Sequence, residues 1–352
     1  MSILRRSTDA RPYWSLGKIA NIVFVNALFF IAIQSVTSKD TCGATATPPQ
    51  KLLNSAFVFV KPHANTEKVR ELVAEKLESA GISILFEDDI GGEEIDRNGL
   101  IDQHYYSIAS KATILPAEKI PVPPKVFRET FGEEWSKVLE ENRAANALDA
   151  CKRFGCSPEE LNEAWNKVST VKFGGGFYCG KVSVNGKPEL YVFNAFFMTM
   201  RSKFVGKDNG IHCFTVEWDS DTLSWSSFRH EILGPTDPKK APSNSIRRSI
   251  LDQYKNLGLS SVPNHSDNGV HASASPFEAL AEKLNWLSLN LESDSLGKKL
   301  LDAGISETRI KEWCLDPQIK TSDSSTGSLF DELEDLNVDD CVSKLLELNR
   351  LN

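Results

Sequence analysis

At 352 residues the chain is long enough for one large domain or two smaller ones. Its 41% apolar, 25% charged and 9% aromatic residues are those of an ordinary globular protein. A net charge of −8 argues against a broad nucleic-acid-binding surface, though a local basic pocket for phosphates stays open, so no stable nucleic-acid binding is expected.

The first 38 residues differ from the rest. Arg5, Arg6, Arg11 and Lys18 precede an uncharged run from Ile19 to Ile33, which is short for a membrane span of ~20 residues and fits the apolar region of a signal peptide. Val36 and Ser38 stand where a cleavage site would lie. Three readings remain: a cleaved signal or targeting segment, an uncleaved membrane anchor, or a buried helix. The first two place the protein at a membrane, in an organelle or on the secretory route rather than in the cytoplasm. Residues 39–54 read as a linker. Seven scattered cysteines, an odd count, form neither a disulfide framework nor a zinc site.

Ser55 to Val60 reads as a buried strand. Asn65 and Thr66 open a helix with Val69, Leu72, Val73, Leu77 and Ala80 on one face, and Gly81 stops it. Ile82 to Glu87 is a second strand, and the acidic stretch 88–99 a loop. Asp96, Asn98 and Asp102 lack the full calcium-loop pattern. Residues 100–112 form a short helix. Four prolines between 116 and 124 lead into two helical patterns over 126–168, split by Gly155. The second restarts at Ser157-Pro158-Glu159-Glu160, a strong N-terminal helix signal. The glycines after Phe173 read as a turn, because the Lys-Ser/Thr of a P-loop is missing. Asn185-Gly186 between β-rich flanks marks a hairpin.

Phe193 to Lys203 is helical. Strands are expected at Ile211–Trp218 and Phe228–Leu233, a helix over 243–256, an extended piece from Asn268 to His271, and a helix from Pro276 to Leu287. Residues 288–325 mix polar helix and serine-rich loop, and Leu329 to Leu348 is an acidic amphipathic helix. The order of elements gives an α+β domain. Its simplest architecture is a ferredoxin-like split βαβ sandwich, an antiparallel sheet covered by helices, interrupted by a mixed helical and β-hairpin insertion over 115–192. The domain spans 55–290, and 291–352 is an acidic helical C-terminal tail.

Several polar residues lie beside the strands. Lys61 ends the first strand, Thr236 follows Gly234-Pro235, Arg247 sits on the next helix, and Asn268 and His271 bracket the extended piece. Glu282, eleven residues beyond His271, can fold back onto its ring. Lysine and arginine hold phosphate charge, Thr and Asn donate hydrogen bonds, and a neutral histidine whose tautomer a carboxylate fixes attacks in line.

These residues fall in motifs that resemble a nucleoside diphosphate kinase. Asn268-Gly-Val-His-Ala-Ser273 and the helix PFEALAEKLNW are similar to that family's active-site signature and following helix. Ile232-Leu-Gly-Pro-Thr-Asp-Pro238 and Ala241-Pro-Ser-Asn-Ser-Ile-Arg247 resemble its nucleotide-loop run. Phe59-Val-Lys61-Pro62 resembles its opening strand, and Gln103-His104-Tyr105 its second helix. The resemblance covers 55–112 and 205–290. It implies His271 as the phosphorylated nucleophile, Glu282 as its orienter and Ser273 at the same site. Lys61, Tyr105, Thr236, Arg247 and Asn268 would bind nucleotide. The substrates would be ATP and nucleoside diphosphates, with Mg2+ held through the nucleotide phosphates and no protein metal site. Phe193 or Phe197 would take the base-clamping place, and Arg229, Tyr191 or Arg201 stand for arginine positions that the motif does not align. His63, Ala272, Ala274 and Arg248 depart from the family pattern. With the insertion at the family's subunit contacts, a homo-oligomer is open but the usual hexamer is not expected. The alternative is a catalytically weak or inactive nucleotide-binding regulatory or interaction module of the same fold.

Overall fold

The structure, a computed structural model, describes residues 51–174, 176–322 and 325–352. The leader, most of the expected linker and Cys42 lie outside the described residues. Among the described residues, no helix is long and apolar enough to cross a membrane.

Ten strands are described: β1 (Asn54–Val60), β2 (Ser83–Gly91), β3 (Ala144–Asn146), β4 (Thr170–Gly174), β5 (Phe177–Val182), β6 (Leu190–Phe193), β7 (Gly210–Trp218), β8 (Val270–Ala272), β9 (Gln318–Ser322) and β10 (Ser325–Ser328). The first sheet runs β2-β7-β1-β8, antiparallel throughout. Helix α1 (Glu67–Ser79) joins β1 to β2, which do not pair because β7 lies between them. Helix α2 (Ile246–Gln253) joins β7 to β8 across β1 in the same way. Two βαβ units thus interleave in one sheet.

Because β1 has a neighbour on each side and a layer on each face, its apolar run does not alternate with polar residues. Ala56, Val58 and Val60 pack with Val69, Val73 and Leu77 of α1 and with Ile246 and Ile250 of α2. Phe57 and Phe59 face the other layer, against Ile95, Ile101 and Trp286. The Thr66 hydroxyl caps α1 by accepting from the Val69 amide at 3.3 Å.

The insertion carries its own sheet, β3-β6-β5-β4, with β3 parallel to β6 and the other pairs antiparallel. Asn185 and Gly186 both take positive φ, 54° and 72°, as a two-residue turn of this kind requires. Ser157 and Glu160 form a reciprocal capping box. Arg201 ties this region to the first sheet's layer: its guanidinium holds Asp102 at 3.0 Å and Asp96 at 2.6 Å. Asp96 and Asp102, which in the sequence form only an incomplete calcium-loop pattern, are thus partners of a buried arginine.

Some expected elements differ. Phe228–Leu233 is a wide helical turn and not a strand; it buries Phe228 and Leu233 and exposes His230 and Glu231 between them. The stretch 88–99 is not a loop. Strand β2 continues to Gly91, and Gly92–Asn98 is a helix stopped by the left-handed Gly99. Beyond residue 290, β9 and β10 form a hairpin within a segment that sequence reads as helix and loop. The single helix expected over 329–348 is two, Leu329–Leu333 and Val338–Leu351, separated around Asp335 with φ 62°. Buried residues beyond 290, among them Trp313 of the helix Glu307–Trp313, Leu333 and Leu345, share one core with Phe277 and Leu280 of helix α3 (Pro276–Trp286).

Candidate active site

His271 is the middle residue of β8, paired with Phe59 in β1. Its ring stacks on that of Phe59, with centroids 4.7 Å apart. Flanking bonds from the Lys61 amide to Gly269 and from the Ser273 amide to Phe57 extend the pairing past the short strand. Gly269 enters the strand with φ +91°, a conformation that strains any side chain, and a Cβ there would also press on Ile250 at 2.9 Å.

After β8 the chain turns through Ser273 to Ser275. The Ser275 hydroxyl caps α3, and Pro276 occupies its first turn. Two turns along α3, Glu282 points back at the sheet. Its Oε1 lies 2.5 Å from His271 Nε2, and its Oε2 accepts from the Ser273 hydroxyl at 2.5 Å. The Phe57 amide donates to that hydroxyl at 3.1 Å. Glu282, Ser273 and the two strands therefore fix the imidazole. With Nε2–H donating to the carboxylate, Nδ1 keeps its lone pair.

Burial disfavours an imidazolium–carboxylate ion pair here. It holds the His271 imidazole well below its usual range, with Lys61, Arg247 and Arg229 pressing the same way. It pushes the Glu282 carboxyl up to about 8. Glu278, one turn earlier on α3, is pushed well up by burial and by the charge of Glu282.

His104 also reaches this cluster, although sequence spacing gave it no role. Its Nδ1 is 3.3 Å from Glu282 Oε1 and 3.4 Å from the indole nitrogen of Trp286. Its ring meets that of His271 edge-on at 4.7 Å. Donor atoms of His104, His271 and Glu282 lie within 4.8 Å of one another. Two imidazoles and one carboxylate suit a transition metal better than Mg2+, which takes oxygen ligands.

Beside the cluster lies a cavity of about 220 Å³, walled by Lys61, His63, Tyr105, Lys203, Phe204 and Asp267 among others. Lys61 donates to the Ser266 carbonyl at 3.2 Å, and burial followed by the charge of Arg247 pulls its ammonium down to about 8. Burial, then Glu282, pushes the Tyr105 phenol up to about 12. A larger cavity of about 670 Å³ lies between Lys111 and Trp313; His271, Glu282, Ser273 and His104 line neither cavity, and Lys61 and Tyr105 bring the smaller one next to them.

The other expected binding residues are placed less directly. Arg247 is buried and donates to the carbonyls of Gly234 at 2.8 Å and Val270 at 2.9 and 3.2 Å, so it holds the backbone immediately before His271. Asn268 donates to the Thr236 carbonyl at 3.1 Å, while its own Oδ1 is buried with no hydrogen-bond partner. The Thr236 side chain is exposed.

Tyr191 and Arg201 lie outside the cavity wall: Tyr191 bonds Glu133 in the insertion, and Arg201 bonds Asp96 and Asp102. Phe193 and Phe197 are both buried in the insertion's cores, and Phe204 lines the cavity instead. Arg229 is held by Glu334 and Asp335, each at 2.7 Å.

No known family profile matches the sequence, and no curated protein matches it. Among solved structures, the chain is similar to a nucleoside diphosphate kinase from Encephalitozoon cuniculi at 12% identity and a TM-score of 0.33, over 69% of this chain and 94% of that one. It is also similar to an NDP kinase from Pyrobaculum aerophilum at 16% identity and a TM-score of 0.31, over 67% of this chain and 96% of that one.

Proposed function

We propose that the protein is a phosphotransferase of the nucleoside diphosphate kinase type, acting through a phosphohistidine on His271. The observation that carries the proposal is the Glu282 carboxylate, which bonds His271 Nε2 with one oxygen and Ser273 with the other. When the Glu282 carboxyl is ionised, that arrangement leaves Nδ1 as an unprotonated, oriented nucleophile. Two interleaved βαβ units with the strand order β2-β7-β1-β8 support a ferredoxin-like split βαβ sandwich as the scaffold.

In the first half-reaction His271 Nδ1 attacks the γ-phosphorus of ATP. A P–N bond forms, the P–O bond to the β-phosphate breaks, and ADP leaves. In the second, a terminal oxygen of another nucleoside diphosphate attacks the phosphohistidine, and the P–N bond breaks as a triphosphate forms. Lys61 neutralises phosphate charge from the cavity wall. Arg247 positions the strand through its carbonyl bonds and adds positive potential beside His271. The cavity wall offers cations and one carboxylate, Asp267, and no cage of oxygen ligands. That set fits Mg2+ arriving on the nucleotide rather than resting on the protein.

The test is incubation with γ-labelled ATP and Mg2+ beside a His271→Ala variant. Acid-labile, alkali-stable label on the parent alone, discharged by GDP, is the expected result. A folded parent that binds nucleotide but takes no label would remove the catalytic reading in favour of the regulatory module.

A further inference from the structure

The cavity beside His271 has a cation that the sequence motifs do not supply. Lys203 follows the helix Phe196–Ser202, which leads from the inserted sheet back to β7. Its ammonium sits on both oxygens of Asp267, at 2.9 and 3.0 Å, and both residues line the cavity with Lys61.

The backbone that delivers Lys203 is fixed from two sides. Two residues earlier, Arg201 is buried on Asp102 and Asp96. On the other side, the Asn209 amide donates to the carbonyls of Ser202 at 3.2 Å and Val205 at 2.6 Å. Only the lysine side chain is left to move, and it is 44% exposed against 25% for Asp267. Ion pairs this open to water add little to stability, so an incoming anion can replace the carboxylate at small cost.

The charge of the cavity favours such an anion. His63 accepts the Gly269 amide at Nε2, 3.2 Å away, and burial with Lys61 and Lys203 nearby holds its ring down to about 4. With that ring neutral, the charged side chains on the cavity wall are Lys61, Lys203 and Asp267. Lys61 spends one donor on Ser266 and keeps two.

We infer that Lys203 is a phosphate-binding residue of the nucleotide pocket, held on Asp267 until a phosphate of a nucleoside diphosphate displaces that carboxylate. The inference rests on the phosphotransfer reading of the pocket. In it, a lysine just after the inserted region supplies phosphate charge where Arg201 and Arg229 are spent on carboxylates.

Calorimetric titration of the full chain with ADP, and with adenosine as a phosphate-free probe, tests it. Lys203→Gln should weaken ADP about ten-fold, the weight of a charge-assisted hydrogen bond, and leave adenosine unchanged. Lys203→Arg should restore ADP binding, and Asp267→Asn should tighten it by freeing the ammonium. Unchanged ADP affinity in Lys203→Gln, or an equal loss for adenosine and ADP, overturns the inference while the phosphotransfer reading stands. A parent chain that binds no ADP overturns that reading and the role of Lys203 with it.

Discussion

His271 and Glu282, eleven residues apart on a strand and the helix after it, meet through Nε2 and Oε1 at 2.5 Å. The contact decides which imidazole nitrogen is free, and therefore what chemistry the site can do.

Glu282→Gln tests that contact with little change of shape. The amide can donate to Nε2, which moves the ring proton to Nδ1 and blocks attack. Phosphoryl uptake should fall about a hundred-fold or more, the low end of what a positioned proton-handling group contributes, while ADP affinity stays near that of the parent. Stopped-time labelling and calorimetry separate the two. Equal loss in both would point to a disrupted fold instead.

The pair also sets a pH dependence. Adding a proton to it either charges the imidazole or neutralises the carboxyl and puts hydrogen on Nδ1; both remove the nucleophile. With the Glu282 carboxyl at about 8, the rate of phosphoryl uptake should rise as pH climbs from 6 to 9. Lys61, pulled down to about 8, loses its charge over the same range, so ADP affinity should fall. For stability the sign is opposite to the rate. Glu282 is raised above its unfolded value, so its contribution is full below about pH 4.5 and is lost as pH rises through about 8. Rate and affinity profiles that move together would contradict this assignment.

Ser273→Ala removes a fully buried hydroxyl that donates to Glu282 and accepts from the Phe57 amide. An amide of β1 loses its partner, so urea unfolding should show a loss of about 1–3 kcal/mol. Phosphoryl uptake should drop less than in Glu282→Gln, because Oε1 still holds His271.

The neighbour of Glu282 on α3, Lys283, forms a buried ion pair with Asp294, which also caps the helix Ser295–Asp302 through the Leu296 and Gly297 amides. Asp294→Ala takes the counter-charge from a buried ammonium, which keeps its bond to the Ser55 hydroxyl, and uncaps a helix. The expected destabilisation is about 3–5 kcal/mol, read by urea or thermal unfolding. An unfolding curve that superposes on the parent's would show that the C-terminal segment does not hold α3 in place.

Much of this site could be read from sequence because its spacing is local. Glu282 returns to His271 through one turn and two turns of helix. The continuous apolar run of β1 and the cap at Thr66 announce a central strand and its helix. The errors have physical causes as well. Phe228–Leu233 is short and apolar enough to pass for a strand, and only its neighbours show it to be helical. Charge along 92–98 hides a helix that Gly99 ends. His104 is 178 residues from Glu282 in sequence, and Lys203 pairs with Asp267 across 64 residues. No local pattern reports either contact: the inserted region separates His104 from Glu282, while Lys203 and Asp267 both follow it and are joined only by the fold.

The most direct test is which nitrogen carries the phosphate. Alkaline digestion of the labelled protein, followed by separation of the two phosphohistidine isomers, reads it without ambiguity. Phosphate on Nδ1 of His271 is the predicted result, since Glu282 holds Nε2. Phosphate on Nε2, or on His104, would contradict the orientation on which the mechanism rests.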